Sequence, residues 1–354
     1  MRCAAPCARM PDRDGILLVR LDGLGDAALC IPALEGLSRA FPAARFGAVC
    51  SRANDALFSD RVARVFVCDS RRPPETLMAE IRAERYARAV VATEEVVGYR
   101  IGRQSGATEI AGFWHGLHKP FKSLWQRSQL TAPVFRPAAW STDATHEVLA
   151  LYSLAQALGA EDPPPADPES LRSWMRIDPA PAAFVSKNHL GFQVSRKWFT
   201  EGWGASAVTE ALLIAMKVSG FHSCALLASA QDEGLACSLI EQIPAAARAD
   251  GRFRFLGALP MARWLKALDS IAALVTADTG AAHVSGMLGV PVIDVFDAAV
   301  FQRLSPQWRP WGAPARCAAK MRWQPDAGRV LGAQIGEAIR DLLATAAVAS
   351  GQPS

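Results

Sequence analysis

The chain has 354 residues, 51% of them hydrophobic and 20% charged, a balance that excludes a disordered polymer and a length that points to two domains. Lys+Arg 38 against Asp+Glu 34 leaves a net charge of +4, which suits an anionic small molecule or a membrane surface as well as it suits nucleic acid. No stretch approaches the roughly 20 apolar residues of a membrane-spanning helix, and the first 14 residues have no apolar core of the kind a secretory signal needs. The 8 cysteines (3, 7, 30, 50, 68, 224, 237 and 317) form no disulfide framework, and Cys3 and Cys7 find no second pair to complete a zinc site. They read as reduced thiols of a cytoplasmic protein.

Residues 1–13 read as a flexible leader. Gly15 to Arg20 is a short continuous apolar run, as in a strand buried on both faces of a parallel sheet. A glycine turn, Leu21 to Gly25, leads into a helix with Ala28, Ile31, Leu34 and Leu37 on one face. Strands follow at Arg45 to Cys50, Val62 to Cys68 and Ala87 to Ala92, with a helix from Pro74 to Ala83. This alternation predicts a parallel α/β sheet. Gly98 to Trp140 mixes Gly, Pro, Trp, His and Lys and reads as loops with short elements. A helix is expected from Thr145 to Leu158. The first domain spans 14–165, and a linker at 166–181 follows the run of prolines at 163–165. The second domain spans 182–346. Its strands are expected at Ala182 to Ser186, Ser223 to Ala228, Phe253 to Leu256, Ala272 to Thr276 and Val290 to Val295, with helices between. Residues 347–354 read as a tail. The fold class is α/β, with two Rossmann-like doubly wound domains facing a central cleft.

Three strings carry chemistry. In the first, Asp22-Gly23-Leu24-Gly25-Asp26 follows the opening strand, so both carboxylates face the cleft. Asp26 reads as a general base for an attacking hydroxyl, or as a cap of the helix it opens. In the second, Asp278-Thr279-Gly280-Ala281 ends a strand and opens a helix, with His283 one turn on. The amides of Thr279, Gly280 and Ala281, backed by the helix dipole, suit a phosphate. The alternative has Asp278 as N-cap and His283 packed on the sheet. In the third, Arg196-Lys197-Trp198 follows the loop 187–191, and the two cations read as a counter-charge for a diphosphate or as a solvated pair. Asp232 and Glu233, after the strand Ser223 to Ala228, read as ribose acceptors or as first-turn helix acids.

Together these strings resemble the heptosyltransferases of glycosyltransferase family 9, over residues 14 to 343. The family opening is similar to Ile16 to Ala33, its last helix of the first domain to His146 to Gly159, and its most characteristic string to Ala273 to Phe296. The resemblance implies a glycosyltransferase B fold, with acceptor on the N-terminal half and a nucleotide-diphosphate sugar, ADP-heptose first, on the C-terminal half. It implies a metal-independent, inverting transfer to a lipopolysaccharide-core or other glycan hydroxyl, with no cofactor beyond that cosubstrate and no nucleic acid. Asp26 stands where the family has its base. Asp278, Thr279, Gly280 and His283 stand at donor-phosphate positions, and Asp22 and Gly25 lie on the acceptor side. The family's lysine two residues before Trp is Arg196 here, with Lys197 adjacent. Lys187-Asn188-His189 replaces Pro-Gly-Ala, and Phe296-Asp297-Ala298-Ala299 replaces Phe-Gly-Pro-Thr. A carboxylate at 297 costs diphosphate binding unless it is paired or turned away.

Between Gly112 and Arg127, His118, Lys119, Lys122 and Arg127 alternate with aromatics and no acid intervenes. This suits an anionic glycan or glycolipid acceptor, or the surface of the inner membrane. A basic loop packed by its own aromatics has the same composition. Two other functions fit parts of the chain. One is a binding or scaffold protein with a decayed donor site. The other is a nicotinamide-dependent oxidoreductase, read from Gly23-x-Gly25-x-x-Ala28. The latter wants an acid about 20 residues beyond the turn, where Cys50-Ser51-Arg52 offers none before Asp55.

Overall fold

A computed structural model describes residues 15–137, 145–182 and 185–349. The leader, Cys3, Cys7 and residues 350–354 lie outside the described residues.

The N-terminal half runs β1 (Gly15–Arg20), α1 (Leu24–Ala28), α2 (Ile31–Ala40), β2 (Phe46–Cys50), β3 (Val62–Val67), α3 (Glu75–Ala83), β4 (Tyr86–Val91), α4 (Val96–Gln104), β5 (Glu109–Trp114), α5 (Pro120–Ser128), β6 (Ala132–Phe135) and α6 (Glu147–Gln156). Its six strands lie in the order β3-β2-β1-β4-β5-β6, with every pairing parallel. β1 is central and wholly buried, as its apolar run requires.

The segment 98–140 holds more order than its composition predicts. α4, β5, α5 and β6 all fall in or across it. The strand character of β5 comes from neighbours on both sides, not from an apolar period, and Ile110, Ala111 and Phe113 are buried there.

The proline-rich connector is a packed strap. Asp167 accepts from the backbone amides of Glu169 and Ser170, capping α7 (Pro168–Arg172). Trp174 is fully buried in the N-terminal half, where its indole donates to Glu35 at 2.8 Å. Arg172 pairs with Asp269 of the other half at 2.8 Å.

The C-terminal half runs β7 (His189–Val194), a 3-10 turn (Arg196–Phe199), α8 (Ala205–Ser219), β8 (Ser223–Ala228), α9 (Glu233–Gln242), α10 (Ala245–Ala249), β9 (Phe253–Phe255), α11 (Met261–Ser270), β10 (Ala273–Thr276), α12 (Gly280–Met287), β11 (Val292–Asp297), α13 (Ala298–Trp308), β12 (Ala315–Lys320) and α14 (Ala327–Ala349). The strand order is β12-β11-β10-β7-β8-β9, again all parallel. The first strand of this half is thus His189–Val194, where a loop was expected. Val185 and Ser186 of the expected strand are irregular, and Ala183 and Phe184 lie outside the described residues. Leu190, Phe192 and Val194 alternate into the C-terminal core, which selects the later segment.

The halves share a core. One contiguous apolar cluster takes in Ile16, Leu34 and Trp174 together with Leu268, Val284 and Met287.

Candidate active site

A cleft of about 710 Å³ opens between the carboxyl ends of the two sheets. One wall is Gly23 to Asp26. The other is built from the ends of β7, β8 and β10, and from α11, α12 and α13. Parallel strands put all of these turns at one end of each sheet, which is where a doubly wound fold binds ligands.

The two glycine motifs touch. A Cβ added to Gly25 would lie 2.8 Å from the Gly280 Cα, and one added to Gly280 would lie 2.9 Å from the Gly25 nitrogen. Both positions therefore need glycine for close backbone approach. This contact brings Asp26 beside the amino end of α12, whose first amides have no partner inside the helix.

Asp26 closes the start of its helix and also faces the cleft. Its Oδ2 accepts from the Gly23 amide at 3.2 Å, closing the start of α1, and its carboxylate lines the cleft. Arg20, which is 6% exposed, holds Asp26 at 2.8 Å and Asp22 at 3.1 Å. Sequence reasoning gave Arg20 no role beyond ending the first strand. A cation this buried orients both acids.

Across the cleft, Lys197 reaches in and Arg196 does not. In the 3-10 turn, successive side chains point about a third of a turn apart, and Trp198 is buried in the core. Lys197 therefore lines the cleft and pairs with Asp278 at 2.5 Å. Arg196 is 72% exposed at its side chain, faces Asp232 at 3.6 Å and is not part of the cleft wall. Of the two expected cations, Lys197 lines the cleft wall and Arg196 stands beside the cleft-lining Asp232. Because β7 ends at Val194, the pair comes just after the strand, while Lys187 and Asn188 precede that strand and His189 opens it.

Asp278 is not the cap of α12. Thr279 occupies that position, and its hydroxyl is 2.7 Å from that of Thr276. Asp278 adopts a left-handed backbone, φ 42, held by Lys197 and by its own amide donating to Asp294 at 2.7 Å. Burial pushes the Asp278 carboxyl up, with Lys197 opposing. Asp294 is completely buried, which raises its carboxyl well above the usual range, with the nearby Asp278 charge adding to the effect. His283 lines the cleft, and burial pushes its imidazole down to about 3, so it is neutral.

Asp232 lines the cleft and accepts from the Ser229 hydroxyl at 2.8 Å. Glu233 does not line it. Its Oε1 accepts from the Ala258 amide at 2.8 Å and ties down the loop after β9. Asp22 lines a second hollow of about 450 Å³, with Ser51, Asp69, Arg71 and Glu95. His118, Lys119, Lys122 and Arg127 are not in the cleft wall. Arg127 instead lies over the Trp114 ring at 5.8 Å.

Sequence reasoning missed the apolar lining of the cleft. Leu259, Met261, Trp264 and Trp308 form it, and the Trp264 indole donates to Gln193 at 3.4 Å. Leu259 precedes α11, Met261 and Trp264 lie on α11, and Trp308 ends α13, so no single local string announces them. Asp297 is paired. Lys320 reaches it at 2.9 Å, and the Thr200 hydroxyl lies 2.9 Å from its Oδ2. Among the described residues, no three His, Cys, Asp or Glu side chains are grouped to hold a metal ion.

Two facing Rossmann-like halves with the binding turns at one cleft define a glycosyltransferase B architecture. The profile of Glycosyltransferase family 9 (heptosyltransferase) matches residues 76–330, and the chain belongs to that family. The matched range begins after the Gly25-Asp26 turn. Solved structures extend over it. Heptosyltransferase II of E. coli, an ADP-heptose lipopolysaccharide enzyme, superposes with a TM-score of 0.68 at 15% identity, over 94% of this chain and 99% of that one. A family 9 glycosyl transferase of Veillonella parvula gives 0.69 at 15%, over 94% and 98%. E. coli heptosyltransferase WaaC with ADP gives 0.63 at 16%, over 92% and 99%. Identities this low establish the shared fold. No curated protein sequence matches the chain.

Proposed function

We propose that the protein transfers a sugar, heptose first among candidates, from a nucleoside-diphosphate donor to a hydroxyl of a lipopolysaccharide-core or other glycan acceptor, with inversion. The observation that carries this reading is the Gly25–Gly280 contact, which sets a carboxylate, Asp26, beside a helix amino end and Lys197 in one cleft. The donor diphosphate would lie against the Thr279 to Ala281 amides and Lys197. Its nucleoside would lie against the apolar lining at Met261 and Trp264, with Asp232 toward the ribose. That WaaC was solved with ADP makes ADP-heptose the first donor to test.

In the reaction, Asp26 takes the proton of the acceptor hydroxyl. The oxygen attacks the anomeric carbon from the face opposite the diphosphate, the carbon–phosphate-oxygen bond breaks, and the charge developing on the diphosphate falls on Lys197 and the amides. The Lys320 pairing of Asp297 keeps a free carboxylate away from that charge, which supports a working donor site over a decayed one. The buried free thiols Cys30, Cys50 and Cys224 fit a reducing compartment and support a cytoplasmic site for the reaction. The test is a nucleotide-sugar screen by thermal shift, followed by transfer assays. Asp26→Ala should retain donor binding and lose about a hundredfold or more in kcat. Near-wild-type turnover removes Asp26 as base, and no nucleotide binding by the folded protein removes the donor assignment.

A further inference from the structure

Four strongly exposed large apolar side chains gather at one corner of the N-terminal half. Leu117 is 87% exposed, Phe121 90%, Leu124 56% and Phe135 58%. Leu117 lies in the loop after β5, Phe121 and Leu124 lie on α5, and Phe135 ends β6. The Phe135 ring meets Trp114 edge-on at 5.5 Å, and a Cβ on Gly116 would lie 3.1 Å from it, so the loop and the strand end form one surface. α5 turns Ser123 and Gln126 inward and Phe121 and Leu124 outward.

Cations frame this strip. At 100° per residue, Lys122 and Arg127 fall on opposite sides of the outward face, and Lys119 precedes the helix. All three are exposed, and among the described residues none has an ion-pair partner. The sequence has no Asp or Glu from residue 110 to residue 142. Side chains as exposed as Leu117 and Phe121 project outward and do not line a groove. A lipid interface takes projecting apolar groups without a matching pocket, and its anionic headgroups complement unpaired lysines.

We propose that the loop 115–119 and α5 dock on a bilayer of anionic phospholipid. β5 and β1 run parallel in one sheet, with β4 between them, so this surface lies at the same sheet end as Asp26. Docking brings the cleft mouth to the membrane, where a lipid-anchored acceptor would be presented. The proposal stands on the exposed surface alone, and its test does not depend on transfer.

The experiment is vesicle flotation of the full chain, using phosphatidylcholine with and without phosphatidylglycerol. The wild type should float with the anionic vesicles at low salt, stay behind with the neutral ones, and be released by salt. Leu117→Ser with Phe121→Ser should lower partitioning at least about tenfold. Neutralising Lys119 and Lys122 should lower it about fivefold per lysine. Circular dichroism checks that the variants are folded, and the salt release of the wild type is a readout that needs no variant. Failure to float, equal binding to neutral vesicles, or unchanged partitioning of both variants overturns the proposal. So does a dimer on gel filtration that Leu117→Ser with Phe121→Ser converts to monomer, since a second copy would then cover the patch.

Discussion

Lys320 shows what one unseen neighbour does to a residue. It is 1% exposed and donates to the Trp198 and Thr200 carbonyls as well as pairing with Asp297. A sequence reading sees the acid of 297 and not the cation that answers it, because the cation lies on the neighbouring strand. The same holds for Lys197. Which of two adjacent cations enters the cleft is set by where Trp198 is buried. His283 carries a pH signature. Burial lowers its imidazole from 6.5 to about 3, with the charges of His146 and Lys197 adding to the effect. Between those values the unfolded chain binds a proton that the folded one lacks, so this group costs stability as pH falls through that window, about 2 kcal/mol by about pH 5. Asp278 and Asp294, raised by burial, act in the opposite sense. His283→Gln removes only the first contribution. Its melting temperature should fall less than that of the wild type between neutral pH and about pH 5, and parallel losses would show that the buried imidazole is not the cause.

At the scale of elements, two helix starts must touch. The Cβ of Gly280→Ala would meet the backbone of Gly25 at 2.9 Å, and a backbone cannot swing aside as a side chain can. The variant gains helix propensity at the start of α12, yet it should push α1 away from α12. Under the proposed function, the thermal stabilisation expected from ADP should then shrink markedly while the unliganded protein stays folded. Undiminished stabilisation would mean that the contact is dispensable for binding. A second glycine row works on structure alone. Gly328, Gly332 and Gly336 lie one turn apart on α14 and let it pack directly on α8, where Cβ atoms would come within 2.9 Å of the Ala207, Ala211 and Ala215 carbonyls. The elements legible in the sequence were those with their own periodic or continuous apolar pattern, such as β1, α8 and β8. β5 and β12 lack one, because their order comes from neighbouring strands, two for β5 and β11 alone for the edge strand β12.

For the whole molecule, the shared core matters most. Leu268, Val284 and Met287 of the C-terminal half belong to the same buried cluster as Ile16, Leu34 and Trp174. The strap adds bonds to each half, from Trp174 to Glu35 and from Arg172 to Asp269. Across the halves, the His146 ring lies 2.8 Å from the Arg309 carbonyl and the Trp311 indole donates to the Pro165 carbonyl at 2.8 Å. The two halves should therefore unfold in one transition, with agreeing calorimetric and van't Hoff enthalpies. Two separated transitions would show that the common core does not couple them.

By itself, the sequence determined that there are two α/β halves, where each glycine turn follows its strand, and which acids and amides lie at strand ends. Those features are local, because a strand, a turn and a helix start are written within some fifteen consecutive residues. The tertiary structure alone decided that Gly25 meets Gly280, that Lys197 and not Arg196 enters the cleft, that Lys320 answers Asp297, and that Met261, Trp264 and Trp308 line the cleft. Each of these joins residues far apart in the chain, and only the packing of the two sheets against each other fixes such distances.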